Sequence, residues 1–396
     1  MKVLVLNSGS SSLKFALCDT STEECPVRGQ VDALGQDHAA LKFQAGQDIY
    51  EKKVPGADHI KALEEILEYF QAQNIDSDDF EAIGHRIVHG GEKFVEATVI
   101  DDEVIGAIKD CINLAPLHNP ANLMGVEVGR KVFPEKPQVA VFDTAFHQTI
   151  PPIAYRYSLP TYLYESHGVR KYGFHGTSHR YVVNQAAKML NKPLSRCCFI
   201  SAHLGNGCSA TAVKYGNSVD TTMGLTPLDG LVMGTRSGNV DPGLHEYLTR
   251  IMGWNIHQIN DVLNKKSGLL GISGLSSDMR EITTAAKNGH LGAKLAAEVF
   301  SYHLAQSIAS LSINFTHLDA LVLTGGIGEH STTVRAMAIP LLQILGFSLD
   351  VLRNEVDGKH TRGVITIEGW SPMAIIVKTN EELQIALDVE ALLGSK

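Results

Sequence analysis

Apolar residues recur along this chain in two rhythms. Near the start, Val3 to Leu6 form a short apolar run, and Leu13, Phe15 and Leu17 then alternate with other residues. Alternation places every second side chain on one face of a strand. Two strands are therefore predicted, Val3 to Leu6 and Leu13 to Cys18, joined by a small-residue turn. Further short runs occur in "QVAVFD", "CFISAHLGNG", "ALVLTGGIGE" and "AIIVKTNEE". The second rhythm is helical. Ile60, Leu63, Leu67 and Phe70 recur at 3-4-3 spacing, which predicts one apolar face of a helix from about Asp58 to Gln71. Leu291 to Ile313 is apolar on most sides and predicts a buried helix. Glu381 to Leu393 predicts a terminal helix that packs through Leu383, Ala386 and Leu392.

Each strand-like run ends in a polar or glycine-rich cluster. Asn7 closes the first, Asp143 the second, and His203 to Asn206 the third. Gly325, Gly326 and Gly328 follow the fourth, and Asn380 and Glu381 the last. Strands alternating with helices predict an α/β fold, and ligands in such folds gather at the carboxyl ends of strands. The five clusters are expected to converge on one cleft. An internal echo adds to this: "LNSGSSSLKFAL" and "HLGNGCSATAV" both read as strand, small-residue turn, strand. A duplicated fold with one phosphate-facing hairpin per half would place a nucleotide between the halves. Pro151, Pro152 and Pro160 supply interdomain punctuation in the middle of the chain.

Composition narrows the classes. With 396 residues, 44% of them hydrophobic, the chain is long enough for two or three domains with substantial cores. A net charge of -9 without a basic block argues against nucleic acid or an anionic membrane as partner. No apolar run approaches the roughly 18 residues of a membrane span. The first apolar run ends at Leu6, unlike a secretory signal. The six cysteines show neither CxxC nor zinc spacing, and Cys197 and Cys198 lie in an apolar strand. They read as reduced core thiols, and a cytoplasmic setting is expected.

The candidate chemistry begins at "NSGSSSLKF". A Walker loop needs a glycine four residues before a Gly-Lys-Ser/Thr triplet and a helix after it, and neither is present. Two readings stay open here, a phosphate-binding hairpin and an ordinary Ser/Gly turn. In "AIGHRIVHGGE", strand alternation puts Arg86 and Val88 on one face and His85 and Ile87 on the other. A guanidinium beside a small apolar group suits a carboxylate with a short alkyl tail. The alternative is a surface arginine beside a core valine. The polar–apolar pairing recurs at Leu117–His118 and Phe174–His175. Arg236 lies among glycines in "MGTRSGNVDPG", either reaching into a cleft to neutralise phosphate or held by Asp241 on a surface loop. Asp143 and Glu381 end strands, where acids serve equally as helix N-caps or as magnesium ligands. The neighbouring Glu382 leaves the second assignment open by one residue.

Nine motifs in order carry a family resemblance: "NSGSSSLKF", "GHRIVHGGE", "APLHNP", "VFDTAFH", "KYGFHGTSH", "AHLGNG", "MGTRSGNVDP", "TGGIGEH" and "TNEE". Together they resemble the acetate kinase family, from Val3 to the final helix. The resemblance implies duplicated RNase H-like domains of the sugar kinase/Hsp70/actin superfamily with an interdomain active-site cleft. The first domain would span residues 1–150, completed by a C-terminal helix at about 384–396, and the second, nucleotide-binding domain 151–383. It further implies reversible, Mg2+-dependent transfer of phosphoryl from ATP to acetate, with Mn2+ able to substitute, in a cytoplasmic homodimer.

Residue by residue, the resemblance implies that Arg86 and Arg236 bind the carboxylate and the transferring phosphoryl group. His175 would hydrogen-bond that group, and Asp143 would orient the reactants or Arg236. Val88, Leu117, His118, Phe174 and Pro227 would form the acetate pocket, and Asn7 and Glu381 would organise magnesium. Nucleotide contacts would come from Ser10, Ser12 and Lys14 in the first hairpin. His203, Leu204, Gly205, Asn206 and Gly207 would add to these from the second. Asp278, Met279 and Arg280, with Gly325, Gly326, Ile327, Gly328 and Glu329 of a glycine-rich loop, would complete the set. Because a carboxylic acid is already ionised at neutral pH, positioning and charge neutralisation outweigh base catalysis, and Asp143 is not expected to act as a general base. Two rivals remain: a propionate or other short-chain acyl kinase, and an actin- or chaperone-like nucleotide switch.

Overall fold

A computed structural model describes the whole chain except Gln47, Leu117, Glu368, Trp370, Ser371, Ser395 and Lys396. The chain divides into two compact units, Met1–Gln148 with Asn380–Lys396, and Thr149–Thr379. Within the first unit, eight strands form one sheet: β1 (Lys2–Ser8), β2 (Ser12–Asp19), β3 (Glu24–Asp32), β4 (Ala40–Ala45), β5 (Asp48–Lys53), β6 (Ala82–Ile87), β7 (Thr98–Val99) and β8 (Gln138–Phe142). Their order is β5-β4-β3-β2-β1-β6-β8-β7. The second unit has a sheet of five: β9 (Cys198–Leu204), β10 (Cys208–Lys214), β11 (Asn217–Thr221), β12 (Ala320–Thr324) and β13 (Met373–Ile376). These run in the order β11-β10-β9-β12-β13.

The two sheets share a central plan. In each, the first strand (β1 or β9) pairs antiparallel with the second (β2 or β10), the second antiparallel with the third (β3 or β11), and the first parallel with a later strand, β6 or β12. A further strand, β8 or β13, then adds parallel to β6 or β12. The repeated order and direction make this a duplicated α/β fold, and the hairpins β1–β2 and β9–β10 occupy equivalent places.

Close packing fixes what surrounds β6. Gly84 faces the helix Glu381–Leu393, where an added Cβ would lie 2.7 Å from Ile385 Cγ2. Pleating turns His85 to the other face, against Gly129 of the helix Asn119–Val132. Arg86 then returns to the face of the terminal helix. Leu4, Leu6, Leu13, Phe15, Ile66 and Phe70 belong to the main apolar core of this unit.

Three expectations change. The helix His59–Ala72, capped by Asp58, buries Ala62, Leu63, Ile66 and Phe70, while Ile60 is exposed. Its inward stripe is displaced from the 3-4-3 set because Ala62 and Ile66 contribute to it. The helix Leu291–Leu311 is buried along one side only, with Leu291, Leu295 and Tyr302 exposed. Finally, Cys18 and Cys25 form a disulfide, because antiparallel pairing of β2 and β3 brings their Cα atoms to 3.9 Å. Cys111, Cys197, Cys198 and Cys208 are free and buried. Among the described residues, no helix is long and apolar enough to cross a membrane.

Candidate active site

In the first unit, the carboxyl ends of β1, β6 and β8 present Asn7, Arg86 and Asp143. Asp143 grips Arg86 in a fork: Nε donates to Oδ1 at 3.0 Å and Nη2 to Oδ2 at 2.6 Å. Arg86 Nη1 also donates to Asn7 Oδ1 at 3.4 Å. Burial alone would depress the guanidinium pKa, but the charges of Asp143 and Glu381 outweigh it and hold the pKa above its ordinary value. Glu381 opens the terminal helix beside Asn380, which caps it by accepting from Leu383 N. Burial raises the Glu381 pKa against the pull of Arg86. Its Oε1 is buried and has no hydrogen-bond partner among the described residues. Across the hairpin, Lys14 stands opposite Asn7, and Gly9 N donates to Ser12 O at 2.7 Å to close the turn. Ser10 and Lys14 are exposed, and Ser12 is half-buried.

Two asparagines of the helix Asn119–Val132 fasten these strand ends. Asn122 Oδ1 accepts from Val88 N at 3.0 Å while its Nδ2 donates to Ser8 O at 2.7 Å. Asn119 Oδ1 accepts from His89 N at 3.1 Å, and its Nδ2 donates to His89 O at 3.0 Å. Val88 is buried at the end of β6, and His118 sits at the N-cap of the asparagine helix. Leu117 lies outside the described residues. Neither asparagine figured in the sequence reading. Their i, i+3 spacing in "HNPAN" was the available signal.

In the second unit, His175 occupies the N-cap of the helix Gly176–Met189 with φ 56° and ψ 25°. A left-handed conformation is uncommon outside glycine and carries strain. Its ring stacks on His203 at 4.4 Å between centroids. His175 Nδ1 meets Ser209 Oγ at 2.9 Å, and His203 Nδ1 meets Ser178 Oγ at 2.8 Å. Arg236 approaches the same place. A Cβ added to Gly207, at the β9–β10 turn, would lie 3.5 Å from His175 Nε2 and 3.6 Å from Arg236 Nη1. Phe174 is buried beside His175, and Pro227 supplies the carbonyl that accepts from Arg236 Nη1 at 3.2 Å.

The two arginines differ in electrostatic state. Arg236 has no carboxylate partner among the described residues, and burial lowers its pKa. The expected alternative of an Arg236–Asp241 pair does not form; Asp241 instead accepts from Gly243 N at 2.8 Å. An unpaired, largely desolvated guanidinium is suited to an incoming anion. Asp143, which the resemblance linked to the reactants or Arg236, accepts from Arg86 through both of its oxygens.

A cavity of about 730 Å³ opens in this unit, lined by Gly205, Asn206, Asp278, Met279, Arg280, Gly326 and Ile327 together with Thr283, Thr284, Lys287 and His330. Its size is ordinary for a small-molecule site. Arg280 is folded back on Asp278, Nη2 to Oδ2 at 2.5 Å. His203, Leu204, Gly207, Gly325, Gly328 and Glu329 do not line it. Leu204 is buried, and Gly325 has φ +75° with an added Cβ only 2.7 Å from Leu204 O. Glu329 is turned inward, accepting from Gly325 N, Thr324 Oγ1 and Thr379 N. Leu204, Gly325 and Glu329 thus pack and hydrogen-bond at the ends of β9 and β12. The glycine-rich segment expected as a loop is a short helix, Gly325–His330.

Residues 2–387 match the model of the acetokinase family. The chain is 51% identical to the acetate kinase of Stutzerimonas stutzeri, covering 99% of both chains. It also resembles a solved propionate kinase of Francisella tularensis, at 45% identity, 98% coverage of each chain and a TM-score of 0.93. The solved acetate kinase of Porphyromonas gingivalis matches at 41% identity, 99% coverage of each and a TM-score of 0.92.

Proposed function

The chain belongs to the acetokinase family and is an enzyme of the acetate kinase class, and we propose that it transfers phosphoryl reversibly between ATP and acetate by direct in-line displacement. The observation that carries this reading is Arg236, desolvated beside His175 and without a carboxylate partner among the described residues. In the forward direction, an acetate oxygen attacks the γ-phosphorus and the bond to the bridging oxygen of ADP breaks. The products are acetyl phosphate and ADP. Acetate arrives ionised, so the barrier is chiefly the approach of two anions. Arg86 and Arg236 hold the carboxylate and the transferring group, and His175 hydrogen-bonds the latter. Asp143 keeps the Arg86 fork planar and aimed, acting through Arg86 and taking no proton. Val88, Phe174 and Pro227 are the proposed seat of the methyl group. The nucleotide is assigned to the cavity lined by Asn206, Asp278, Arg280 and Ile327.

A magnesium ion fits the first group on chemical grounds. Mg2+ takes hard oxygen ligands, keeps several waters and needs only one or two carboxylates. Glu381 offers a buried oxygen with no hydrogen-bond partner among the described residues, and Asn7 offers an amide oxygen nearby in the Arg86 network. When bound, the ion would supply neutralisation of phosphate charge. Glu381 and Asn7 would hold it, Glu381 through its waters. A cytoplasmic homodimer belongs to the proposal on the family resemblance, and sedimentation at assay concentration checks the dimer.

The test is acyl phosphate formation, trapped as hydroxamate, across carboxylates of rising chain length. Acetate should give the highest kcat/KM. One extra methylene is worth about 1–3 kcal/mol, so some propionate turnover is expected. A clear propionate preference would move the assignment to the propionate rival. ATP hydrolysis indifferent to any carboxylate would instead support the nucleotide-switch rival.

A further inference from the structure

We propose that Ser201, His179 and Ser209 form a hydrogen-bond relay that fixes the tautomer of His175 and makes its Nε2 a donor. The four side chains stand in single file. Ser201 Oγ lies 2.8 Å from His179 Nδ1, His179 Nε2 lies 2.8 Å from Ser209 Oγ, and Ser209 Oγ lies 2.9 Å from His175 Nδ1. Their placement follows from the fold. His175 and His179 are one helical turn apart on the helix Gly176–Met189, and Ser201 and Ser209 project from the neighbouring strands β9 and β10. Ser201, His179 and Ser209 are fully buried.

The direction of the relay follows from counting protons. A serine hydroxyl has one proton to donate, and a neutral imidazole has one N–H and one lone pair. Ser209 stands between two ring nitrogens, so it donates to one and accepts from the other. With both rings neutral, they therefore share a tautomer, protonated on Nε2 in both or on Nδ1 in both.

Ser201 decides between them. Its hydroxyl meets His179 Nδ1 and has no other hydrogen-bond partner among the described residues. With a proton on His179 Nδ1, Ser201 could only accept, and its own buried proton would lack an acceptor. A buried donor left unmade carries its full desolvation penalty. The satisfied arrangement runs the other way. Ser201 donates to His179 Nδ1, His179 Nε2–H donates to Ser209, and Ser209 donates to His175 Nδ1. His175 is left with its proton on Nε2, the nitrogen that faces Gly207 beside Arg236 Nη1.

The opposite tautomer would turn a lone pair toward an anion. The functional weight of the relay rests on the proposed phosphoryl chemistry, whereas the tautomer itself does not. His179, Ser209 and Ser201 are positioning residues, acting only through His175.

The test is nitrogen NMR of the full-length, ligand-free protein carrying 15N-labelled histidine. We expect His175 and His179 both as the Nε2–H tautomer. The Ser201→Ala variant should show mixed tautomers at both rings. Its kcat should fall about two- to tenfold as the competent fraction drops, with both KM values within about twofold of the parent. Ser201→Thr restores the hydroxyl at the cost of an added methyl, so it should recover the tautomer and kcat, whereas a packing role would be harmed by it. An Nδ1–H tautomer at His175 in the parent protein overturns the relay, as does an Ala variant with both rings unchanged. Absence of acyl phosphate formation would remove the functional reading while the NMR result still stood or fell by itself.

Discussion

Asp143 and Arg86 meet as a planar fork with two hydrogen bonds, and the carboxylate is almost completely buried. Breaking such a pair from one side leaves the other charge stranded. Asp143→Ala should destabilise the fold by about 3–5 kcal/mol in denaturant titration. Asp143→Asn keeps the shape and loses the charge, so it should fold better while kcat/KM for acetate falls at least about 100-fold. Arg86→Lys should not rescue activity, since an ammonium cannot reproduce the fork.

Arg236→Ala should separate activity from stability. Acetyl phosphate formation is expected to drop about 10²–10³-fold in kcat, comparable to a lost oxyanion donor. Folding should be unaffected or improved, because burial already disfavours the charge and no carboxylate among the described residues compensates it. Calorimetry of the folded variant checks the second outcome, and near-normal turnover would remove Arg236 from the mechanism.

Glu381→Gln carries the metal prediction. The folded-state pKa of Glu381 is raised, so ionising it opposes folding, and the amide should leave the metal-free protein as stable or more so. The Mg2+ concentration for half-maximal activity should rise on the order of tenfold or more. A magnesium titration unchanged in this variant would place the ion elsewhere.

Acid stability depends on two buried rings. Burial pushes His85 and His89 down to about 4. The unfolded chain protonates them near 6.5, so it binds protons there that the folded chain refuses. Stability should therefore fall as pH drops from about 6.5 toward 4. The slope from these two groups approaches about 2.7 kcal/mol per pH unit within that window. His85 Nε2 sits 2.6 Å from Gln138 Oε1, and His85→Gln, which removes one titrating ring, should flatten the decline in urea midpoints measured against pH.

The Cys18–Cys25 bridge predicts a thiol count. Denatured without reductant, the chain should titrate four thiols, matching Cys111, Cys197, Cys198 and Cys208, and six after reduction. Closing so short a loop is worth about 2–3 kcal/mol, which sets the expected loss of stability on reduction.

Much of this arrangement was legible where apolar alternation is strong. The hairpins β1–β2 and β9–β10 and the helix Glu381–Leu393 follow directly from their patterns. The antiparallel extension through β5 was not, because "DIYEKK" is almost wholly exposed and has no buried face to announce it. Hydropathy also hides polar residues that fold inward. His179, Ser201 and Ser209 are polar residues that no apolar pattern marks as interior, yet they are buried and hydrogen-bonded to one another. Glu329 is another inward-turned polar group, its acid accepting from the backbone of Gly325 and Thr379. Arg86 was readable from its strand face, but only the fold brings Asp143 to it.

The helix Glu381–Leu393 completes a sheet whose strands were laid down more than two hundred residues earlier in the sequence. During synthesis, Thr149–Thr379 is made as one uninterrupted stretch and can fold as it emerges. The first sheet must wait, with the surface beside Gly84 uncovered, until Ile385 and Val389 leave the ribosome. That delay makes the exposed face of β1, β2 and β6 the place where a slowly translated or truncated chain is most prone to aggregate.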